Sequence, residues 1–291
     1  MFIEKIALGS ANFGQSYGVA NSAGKLVQRD VDLILKEALS SGVHFLDTAA
    51  AYGESELVLG RTGVSGWSVI TKLPPLPREE VDPTGWVICK ARASLGRLGL
   101  QSLDGLLLHK PFDLLGDNGS LLYKGLKECK ESGLAKRIGI SIYNPEELDA
   151  VISLYPMDIV QAPFNVLDQR IQQSGWLARL QDMGVEMHAR SAFLQGLLLM
   201  GKEERPAKFA RWNNVWEAWH TWLKDSGLTA LEACLAFVME CPKINRVVLG
   251  VDSERHLREI LAVANAGITL PSSCLASNDL DLINPSRWAS L

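Results

Sequence analysis

Residues 43–47 read VHFLD, a mostly apolar run that is too short for a helix and ends on a carboxylate. Similar runs recur along the chain and predict seven more strands: KIALG (5–9), WSVITK (67–72), LDGLLLH (103–109), RIGIS (137–141), DIVQ (158–161), VEMHAR (185–190) and RVVLG (246–250). Stretches with helical periodicity lie between them, for instance 29–41, 83–98, 145–154, 169–182 and 253–265. Short apolar strands that alternate with helices predict a parallel sheet covered on both faces.

Closing this sheet into a (β/α)8 barrel removes its free edges, and eight strands are the number that such a barrel requires. An open, doubly wound sheet is the competing architecture. It usually carries a G-x-G-x-x-G turn after an early strand, and the sequence has none. No tract rich in Ser, Pro or Gly divides the chain. The sequence therefore predicts an α/β fold, a (β/α)8 TIM barrel, formed by a single domain over residues 1–291.

Composition and charge exclude several classes of function. Of the 291 residues, 47% are hydrophobic and 21% charged, as in a globular protein with a large core. The net charge of −4 argues against a nucleic-acid partner, which needs a basic surface. The five cysteines show no CxxC spacing, so neither a metal site nor a disulfide framework is predicted. Because there is no signal-peptide pattern and no apolar run of about 20 residues, we expect a cytoplasmic protein without a membrane segment.

Four polar residues lie at or just beyond the carboxyl ends of predicted strands, where barrel enzymes place functional groups: Asp47, Tyr52, Lys72 and His109. Each has an ordinary structural explanation by itself, such as a helix cap or a buried hydrogen bond. Together they suit the protonation of an alkoxide. An ammonium group is expected to lower the pKa of a neighbouring tyrosine from about 10, and a carboxylate keeps the lysine charged. The imidazole can polarise a carbonyl oxygen.

The segment DTAAAYGESE (47–56) resembles the aldo-keto reductase signature DTAxxYGxSE. Lys72 in VITKLP and His109 in LLLHKP match the other two catalytic positions of that family in order and spacing. The resemblance runs from LGSANFG near the start to VVLGVDSERHL near the end. It implies a reductase of small-molecule aldehydes or ketones in which Tyr52 is the general acid. By the same resemblance, Lys72 and Asp47 tune Tyr52, and His109 orients the carbonyl.

The resemblance also implies a nicotinamide cofactor, bound in extended form across the mouth of the barrel, with NADP(H) favoured and NAD(H) as the alternative. Ser141 and Gln161 match the positions that hold the carboxamide. The stretch that passes the nicotinamide and the pyrophosphate is matched by Arg190, Ser191, Phe193, Gln195 and Gly196. The stretch around the adenosine 2′-phosphate is matched by Gly250, Ser253, Arg255, His256 and Glu259.

The sequence departs from the family pattern at each part of this cofactor site. Ile142 stands where many members have Asn, which removes one carboxamide contact. Arg190 replaces the aromatic residue that stacks on the nicotinamide, and a cation is a less favourable neighbour for an oxidised nicotinamide. Gly250 and Val251 replace a Lys-Ser pair, and Asp252 adds a negative charge where the phosphate is expected.

Further residues support weaker hypotheses. An additional helix whose aromatic face packs on the barrel is predicted from the helical spacing of four tryptophans: Trp212, Trp216, Trp219 and Trp222. The alternative places one or two of these rings at the mouth of the active site. His188 alternates with Arg190, so both should face the barrel interior, where His188 makes either a structural hydrogen bond or a substrate contact. Asn12 and Phe13 are candidates to face the substrate.

Two other classes of function compete with the reductase. A cofactor-binding, redox-sensing or regulatory barrel protein with little turnover would keep the same fold. An aldolase that uses Lys72 as a Schiff-base nucleophile is disfavoured, because a carboxylate beside the amine keeps it protonated. Arg190 and His188 suggest a polar or anionic carbonyl substrate. Its identity and the oligomeric state cannot be predicted from the sequence, since substrate choice depends on the shapes of the loops.

Overall fold

Eight parallel strands close into one barrel in chain order, and the last strand pairs with the first. The computed structural model describes residues 2–21, 24–268 and 275–291. The strands are β1 (Ile6–Gly9), β2 (Phe45–Asp47), β3 (Ser68–Leu73), β4 (Gly105–Leu108), β5 (Ile138–Ser141), β6 (Ile159–Pro163), β7 (Glu186–Arg190) and β8 (Arg246–Gly250). Every predicted strand is present within two residues of its predicted limits, and the predicted (β/α)8 barrel is confirmed.

Helices follow the strands around the outside of the barrel. The α-helices are α1 (Ala11–Gly14), α2 (Gln28–Ser40), α3 (Ser55–Thr62), α4 (Pro83–Leu98), α5 (Gly119–Glu131), α6 (Glu146–Val151), α7 (Arg170–Gln173), α8 (Trp176–Asp182), α9 (Asn213–Ser226), α10 (Ala230–Met239), α11 (Glu254–Ala266) and α12 (Leu280–Ile283). Short 3₁₀ helices lie at Phe2–Lys5, Pro111–Leu115, Leu197–Leu199, Ala207–Trp212 and Pro285–Ser290. The predicted helix over 169–182 is in fact two helices, because Gly175 adopts a left-handed φ of 80° between them.

The α4 helix illustrates how local sequence sets a helix end. The Asp82 side chain accepts a hydrogen bond from the Gly85 amide, at 3.0 Å, and Pro83 occupies the first helical position, where a missing amide costs nothing. At the other end Gly99 takes a left-handed φ of 67°, which an L-residue adopts only at a cost. These signals are readable in sequence, and the predicted limits of this helix are confirmed.

The additional helix predicted from the tryptophan spacing is α9. Trp216 and Trp219 are buried on the barrel side of this helix, and their indole nitrogens donate to the carbonyls of Phe209 and Leu198, at 3.0 and 3.1 Å. Because a buried indole needs a partner for its N–H, these bonds account for the aromatic face. The structural interpretation of the tryptophans is therefore confirmed.

Two general features of the described residues bear on function. None of their helices has the length and apolar character needed to cross a membrane. Four of the five cysteines lie in the described ranges and are free thiols, whereas Cys274 lies outside them.

Apolar side chains fill the interior of the barrel below its carboxyl end. Ile70, Leu107 and Ile159 form a buried cluster that is separate from the larger core between the strands and the helices. Residues two positions apart on a strand point to the same face, so the next inward layer is formed by the residues that follow these three. That layer is polar and contains Lys72, His109 and Gln161. Because side chains alternate between the two faces of each strand, these three predicted site residues lie in the layer directly above the apolar cluster.

Gly139 on β5 allows the strands of this interior to approach one another. A Cβ atom at this position would lie 2.1 Å from the Ile159 carbonyl oxygen and 2.7 Å from a methyl group of Leu107. Neither the backbone of β6 nor the packed leucine can move away without disturbing the barrel. A close approach of backbones therefore requires glycine here.

We expect Gly139→Ala to lower the free energy of unfolding by about 2 kcal/mol, because overpacking a filled core typically costs about 1–3 kcal/mol. Urea denaturation followed by tryptophan fluorescence measures this change. The matched control is Gly96→Ala on the exposed face of α4, where an added Cβ meets no atom within 4 Å. That substitution should raise stability by about 0.5–1 kcal/mol, since alanine is the better helix former. Equal effects of the two substitutions would contradict the packing argument.

Candidate active site

The Lys72 side chain is completely buried at the end of β3 and pairs with Asp47 at the end of β2. The Lys72 Nζ atom lies 2.6 Å from Asp47 Oδ2 and donates a second hydrogen bond to the Thr48 carbonyl, at 2.9 Å. A buried ammonium group is strongly unfavourable unless it is paired and hydrogen-bonded. The two neighbouring strand ends therefore fix the position of this cation.

Tyr52 meets Lys72 from the loop after β2. Its hydroxyl oxygen lies 3.4 Å from Lys72 Nζ. The His109 ring packs edge-on against the Tyr52 ring, with centroids 5.7 Å apart and an interplanar angle of 74°. The structure thus brings together all four residues predicted as catalytic: the phenol hydroxyl lies beside the ammonium group, and the phenol ring packs against the imidazole.

A chain of side-chain hydrogen bonds extends from this group across the barrel. Gln161 on β6 donates from Nε2 to Asp47 Oδ1 at 2.7 Å, and Ser141 on β5 donates to Gln161 Oε1 at 3.3 Å. Ser141 and Gln161 are both buried. The two residues predicted to hold a carboxamide therefore lie in the same polar layer as the Lys72–Asp47 pair.

Two further members of the DTAAAYGESE segment have structural roles. Ser55 is buried and donates to the hydroxyl of Ser10, 2.7 Å away at the end of β1. The Glu56 carboxylate accepts from Thr71 on β3, at 2.5 Å, and from Arg97 Nε on α4, at 2.7 Å. These bonds connect the start of α3, just after Tyr52, to the end of β1 and to β3, the strands on either side of β2.

Gly53 and Gly14 let the loop that carries Tyr52 pass close to the segment after β1. Gly53 has a left-handed φ of 56°, and a Cβ atom there would lie 2.4 Å from the Gly14 carbonyl oxygen. A Cβ atom on Gly14 would lie 1.8 Å from the Tyr52 carbonyl oxygen. Side chains at either position would push the Tyr52 backbone away from Lys72.

The environment of Tyr52 favours its neutral form. Burial raises the pKa of the Tyr52 phenol above its ordinary value, the Asp47 carboxylate adds to the rise, and the Arg190 guanidinium opposes it. The sequence-based expectation of a lowered pKa is therefore wrong. The charge of Lys72 is compensated by Asp47 at 2.6 Å, so the cost of burying a phenolate dominates. A neutral phenol is the form that can donate a proton.

Burial also shifts the pKa values of Lys72 and His109, the two basic neighbours of Tyr52. Burial lowers the pKa of Lys72, and the ion pair with Asp47 opposes that shift. Burial, together with the charges of Lys72 and Arg190, lowers the pKa of His109 to about 4. His109 is therefore a neutral imidazole near neutral pH, able to donate one hydrogen bond without carrying charge.

A cavity of about 940 Å³, including its open mouth, begins at Tyr52 and lies at the carboxyl end of the barrel. Ten of the predicted site residues line it: Asp47, Tyr52, Gln161, Arg190, Ser191, Phe193, Gln195, Gly196, Gly250 and His256. The four tryptophans are absent from its lining, so the alternative that placed them at the mouth is wrong. None of the described residues forms a cluster suited to a metal ion.

The loop after β7 forms one wall of the cavity in a strained conformation. Left-handed backbone angles occur in three non-glycine residues of the described chain, all in this loop: Ser191 (φ 60°), Leu194 (φ 49°) and Gln195 (φ 54°). Each such angle costs about 1–2 kcal/mol. The Gln195 carbonyl accepts from the Val19 amide at 3.1 Å, and a Cβ atom on Gly196 would lie 2.5 Å from the Ala20 side chain. Contact with the segment after α1 thus maintains the strained loop.

The far end of the cavity lies at the start of α11. Ser253 caps this helix by accepting from the His256 amide at 3.1 Å. Arg255 is exposed and paired with Glu259 at 2.9 Å, and neither residue lines the cavity, nor does Ser253. Of the residues predicted around the 2′-phosphate, the structure places Gly250 and His256 in the cavity wall. An added Cβ on Gly250 would meet no atom within 4 Å, so this glycine leaves open space there.

Sequence reasoning missed several lining residues, Tyr17 among them, and misplaced Phe13. Tyr17 lines the cavity. Its only signal is a single aromatic residue beside a glycine in a polar loop. Asp252 also lines the cavity. Asn12 lines it too and donates to Asp252 Oδ1 at 2.8 Å, which holds the carboxylate in place. Phe13 is fully buried in the core, so its predicted substrate contact is wrong.

His188 belongs to the barrel interior below the cavity. It is buried, and its Nε2 lies 3.0 Å from the Glu186 carboxylate on the same strand. The cavity lining does not include it. Of the two interpretations, structural hydrogen bonding is the one that the structure supports.

Comparison with known proteins agrees with this architecture. A barrel of eight parallel strands with polar groups at its carboxyl end defines the chain as a (β/α)8 barrel protein. The sequence model of the Aldo/keto reductase family matches residues 5–276. The chain therefore belongs to the Aldo/keto reductase family.

Individual relatives match over different shares of their length. An aldo-keto reductase of Mycobacterium sp. (strain MCS) is 34% identical over 158 residues, which is 50% of this chain and 52% of the relative. The chain thus spans about half the length of the curated relatives that it matches at this level. The L-glyceraldehyde 3-phosphate reductase of Escherichia coli O157:H7 is 24% identical over 256 residues, 79% of this chain and 70% of that protein.

Among solved structures, an aldo-keto reductase from Bacillus halodurans in its holo form superposes with a TM-score of 0.72. Its sequence identity is 18%, and the match covers 92% of this chain and 88% of that one. At this identity the likeness supports the fold alone.

We expect the His109 imidazole to remain unprotonated down to about pH 5, because its pKa is lowered from 6.5 to about 4. NMR titration of histidine-labelled protein measures this, with His109→Asn identifying the signal. The unfolded chain takes up this proton at a higher pH than the folded chain, so His109 should destabilise the fold as the pH falls from 6.5 to about 4. A His109 signal that titrates near pH 6.5 would contradict the burial argument.

Proposed function

We propose that this protein reduces an aldehyde or a ketone with a nicotinamide cofactor, and that Tyr52 donates the proton. The observation that carries the proposal is the position of the Tyr52 hydroxyl. The hydroxyl lies 3.4 Å from Lys72 Nζ, and Tyr52 lines the cavity with its ring packed against the neutral His109 ring. When bound, the reduced nicotinamide supplies the hydride.

The proposed roles of the side chains follow from their protonation. Tyr52 is held as a neutral phenol, so a proton is present where an alkoxide would form. The imidazole N–H of His109 can donate to the carbonyl oxygen and fix its direction. Lys72 can stabilise the phenolate left after proton transfer, because its ammonium group is held in place by Asp47.

The lining of the cavity fits an elongated cofactor. Gln161 lines the cavity at the Tyr52 end, and Ser141 lies behind it at hydrogen-bond distance, so the two offer amide and hydroxyl groups suited to a carboxamide. The backbone of Ser191–Gly196 runs along one wall, and Gly250 leaves space at the far end. The positive end of the α11 dipole lies beside His256 and is suited to a phosphate group. These features support the proposed carboxamide and phosphate positions.

Tyr52→Phe should lower kcat for carbonyl reduction by about 100- to 10,000-fold, the usual contribution of a positioned general acid. The measurement follows oxidation of the reduced cofactor with a panel of aldehydes and ketones. Cofactor affinity, measured by fluorescence titration, should be retained. The matched control is Tyr123→Phe, which removes a hydroxyl bonded to the Pro156 carbonyl outside the cavity.

The same experiment separates the reductase from a regulatory protein. Full activity of Tyr52→Phe would refute the assignment of the proton donor. Tight cofactor binding by the wild-type protein, with no turnover of any carbonyl compound and a stable protein partner, would instead favour the redox-sensing alternative.

We propose NADP(H) as the cofactor, with NAD(H) as the alternative. The family resemblance favours NADP(H), and His256 in the cavity wall is the available partner for a 2′-phosphate. The charges at the start of α11 work against it. Arg255 is paired with Glu259, Arg258 is paired with Glu254, and the Asp252 carboxylate lines the cavity. Asp252 is therefore the residue that should limit affinity for a 2′-phosphate.

Asp252→Asn should raise the affinity for NADPH relative to NADH by about fivefold, because removing one unit charge about 4 Å from a phosphate is worth about 1 kcal/mol in water. Fluorescence titration with each reduced cofactor gives the ratio directly. The control is Glu128→Gln on α5, which changes the net charge equally at a distance from the cavity. An unchanged ratio in Asp252→Asn would show that this carboxylate does not face the phosphate.

A further inference from the structure

Arg190 is a cation in the cavity wall without an acidic partner. Within the described ranges no carboxylate lies within 4 Å of its guanidinium nitrogens, whereas Lys72 nearby is paired with Asp47. Its polar contacts among the described residues are neutral: Nη2 donates to the Ile142 carbonyl at 2.8 Å, and Nη1 donates to the Ser191 hydroxyl at 3.3 Å. A guanidinium has five N–H donors, so donors remain available to a ligand.

The guanidinium is also held in a defined orientation. Its central carbon lies 4.3 Å from the centroid of the Tyr143 ring, so one side of its plane is covered by an aromatic surface. The hydrogen bond to the Ile142 carbonyl fixes Nη2, one of the two terminal nitrogens of the guanidinium. A planar cation that is positioned before ligand binding favours a carboxylate or phosphate group with matching geometry.

Strand register places Arg190 at the reacting end of the cavity. Gln161 on β6 pairs with His188 on β7, and Arg190 is two residues further along β7 on the same face. One strand repeat of two residues rises about 6.6 Å. Arg190 therefore lies one layer above the bond between Gln161 and Asp47, on the side of the mouth. Its charge also acts on the pKa values of Tyr52 and His109, which agrees with this placement.

We propose that Arg190 binds an anionic group, carboxylate or phosphate, on the carbonyl substrate and so selects anionic aldehydes or ketones. This inference rests on the proposed reductase function and specifies its substrate class. An anion here would compensate a charge that is otherwise unpaired and partly withdrawn from water. It would also hold the carbonyl carbon in a constant position relative to the Tyr52 hydroxyl.

The test compares two aldehydes that differ by one charge and one methyl group, carboxybenzaldehyde and its methyl ester, in wild-type protein, Arg190→Gln and Arg190→Lys. A second pair, glycolaldehyde phosphate and glycolaldehyde, separates phosphate from carboxylate recognition. The readout is the ratio of kcat/KM for the charged over the neutral member of each pair, so that a general loss of activity cancels. We expect a wild-type ratio of at least about tenfold, as for one charge-assisted hydrogen bond.

Arg190→Gln should bring this ratio close to one. Arg190→Lys should retain part of it, because lysine keeps the charge but lacks the planar pair of donors that a guanidinium offers. The matched control is Arg179→Gln, which removes the same charge from a guanidinium stacked 3.5 Å over Trp176, away from the cavity. Its ratio should equal that of the wild type. A wild-type ratio of one for both pairs, or a ratio that Arg190→Gln leaves unchanged, overturns the proposal.

Direct binding separates this inference from the proposed function. Calorimetric titration of benzoate and benzamide into the cofactor-loaded protein should show preference for benzoate in the wild type and its loss in Arg190→Gln. If no carbonyl compound is turned over but benzoate is preferred, the reductase function fails and the anion site stands. If Arg190→Gln weakens only the binding of the cofactor, the guanidinium serves the cofactor pyrophosphate and the proposal is overturned.

Discussion

The buried ion pair between Lys72 and Asp47 is the constraint to which the rest of the site is adjusted. An ammonium group with no exposed surface loses its hydration, and the cost is offset only if a carboxylate and further acceptors surround it. Asp47 Oδ2 and the Thr48 carbonyl provide those contacts, at 2.6 and 2.9 Å. The second carboxylate oxygen accepts from Gln161, so the pair is joined to the opposite side of the barrel. Removing either member would leave an uncompensated charge in the interior.

This arrangement changes how the tyrosine should be understood. A lysine near a phenol is commonly taken to acidify it, yet here the lysine charge is already compensated by Asp47. Burial then dominates and raises the pKa of Tyr52, while the same burial lowers the pKa of His109 to about 4. Both residues are neutral near pH 7, and each can donate a hydrogen bond or a proton. Burial of Tyr52 and His109 thus selects the neutral form of each, and these forms suit reduction of a carbonyl group.

Charge is distributed unevenly along the cavity. At the reacting end Arg190 is a cation with no acidic partner among the described residues, whereas at the far end the arginines of α11 are paired with glutamates and Asp252 faces the cavity. In the proposed enzyme, selectivity for an anion would therefore arise beside Tyr52, and selectivity against a 2′-phosphate would arise at Asp252. The two effects depend on different loops, after β7 and after β8, which can vary independently of the barrel.

The sequence by itself determined the eight strands, their limits to within two residues, and the four residues at or just beyond strand ends that meet in the site, Tyr52 among them. It could do so because strand periodicity and the carboxyl-end rule for barrels are local or symmetric properties. Only the tertiary structure decided the break at Gly175, the burial of Phe13 and the presence of Tyr17 in the cavity wall. It also decided which charges are paired and in which direction the pKa of Tyr52 shifts. Those outcomes depend on desolvation and on distances between residues far apart in the chain, and spacing along a sequence records neither.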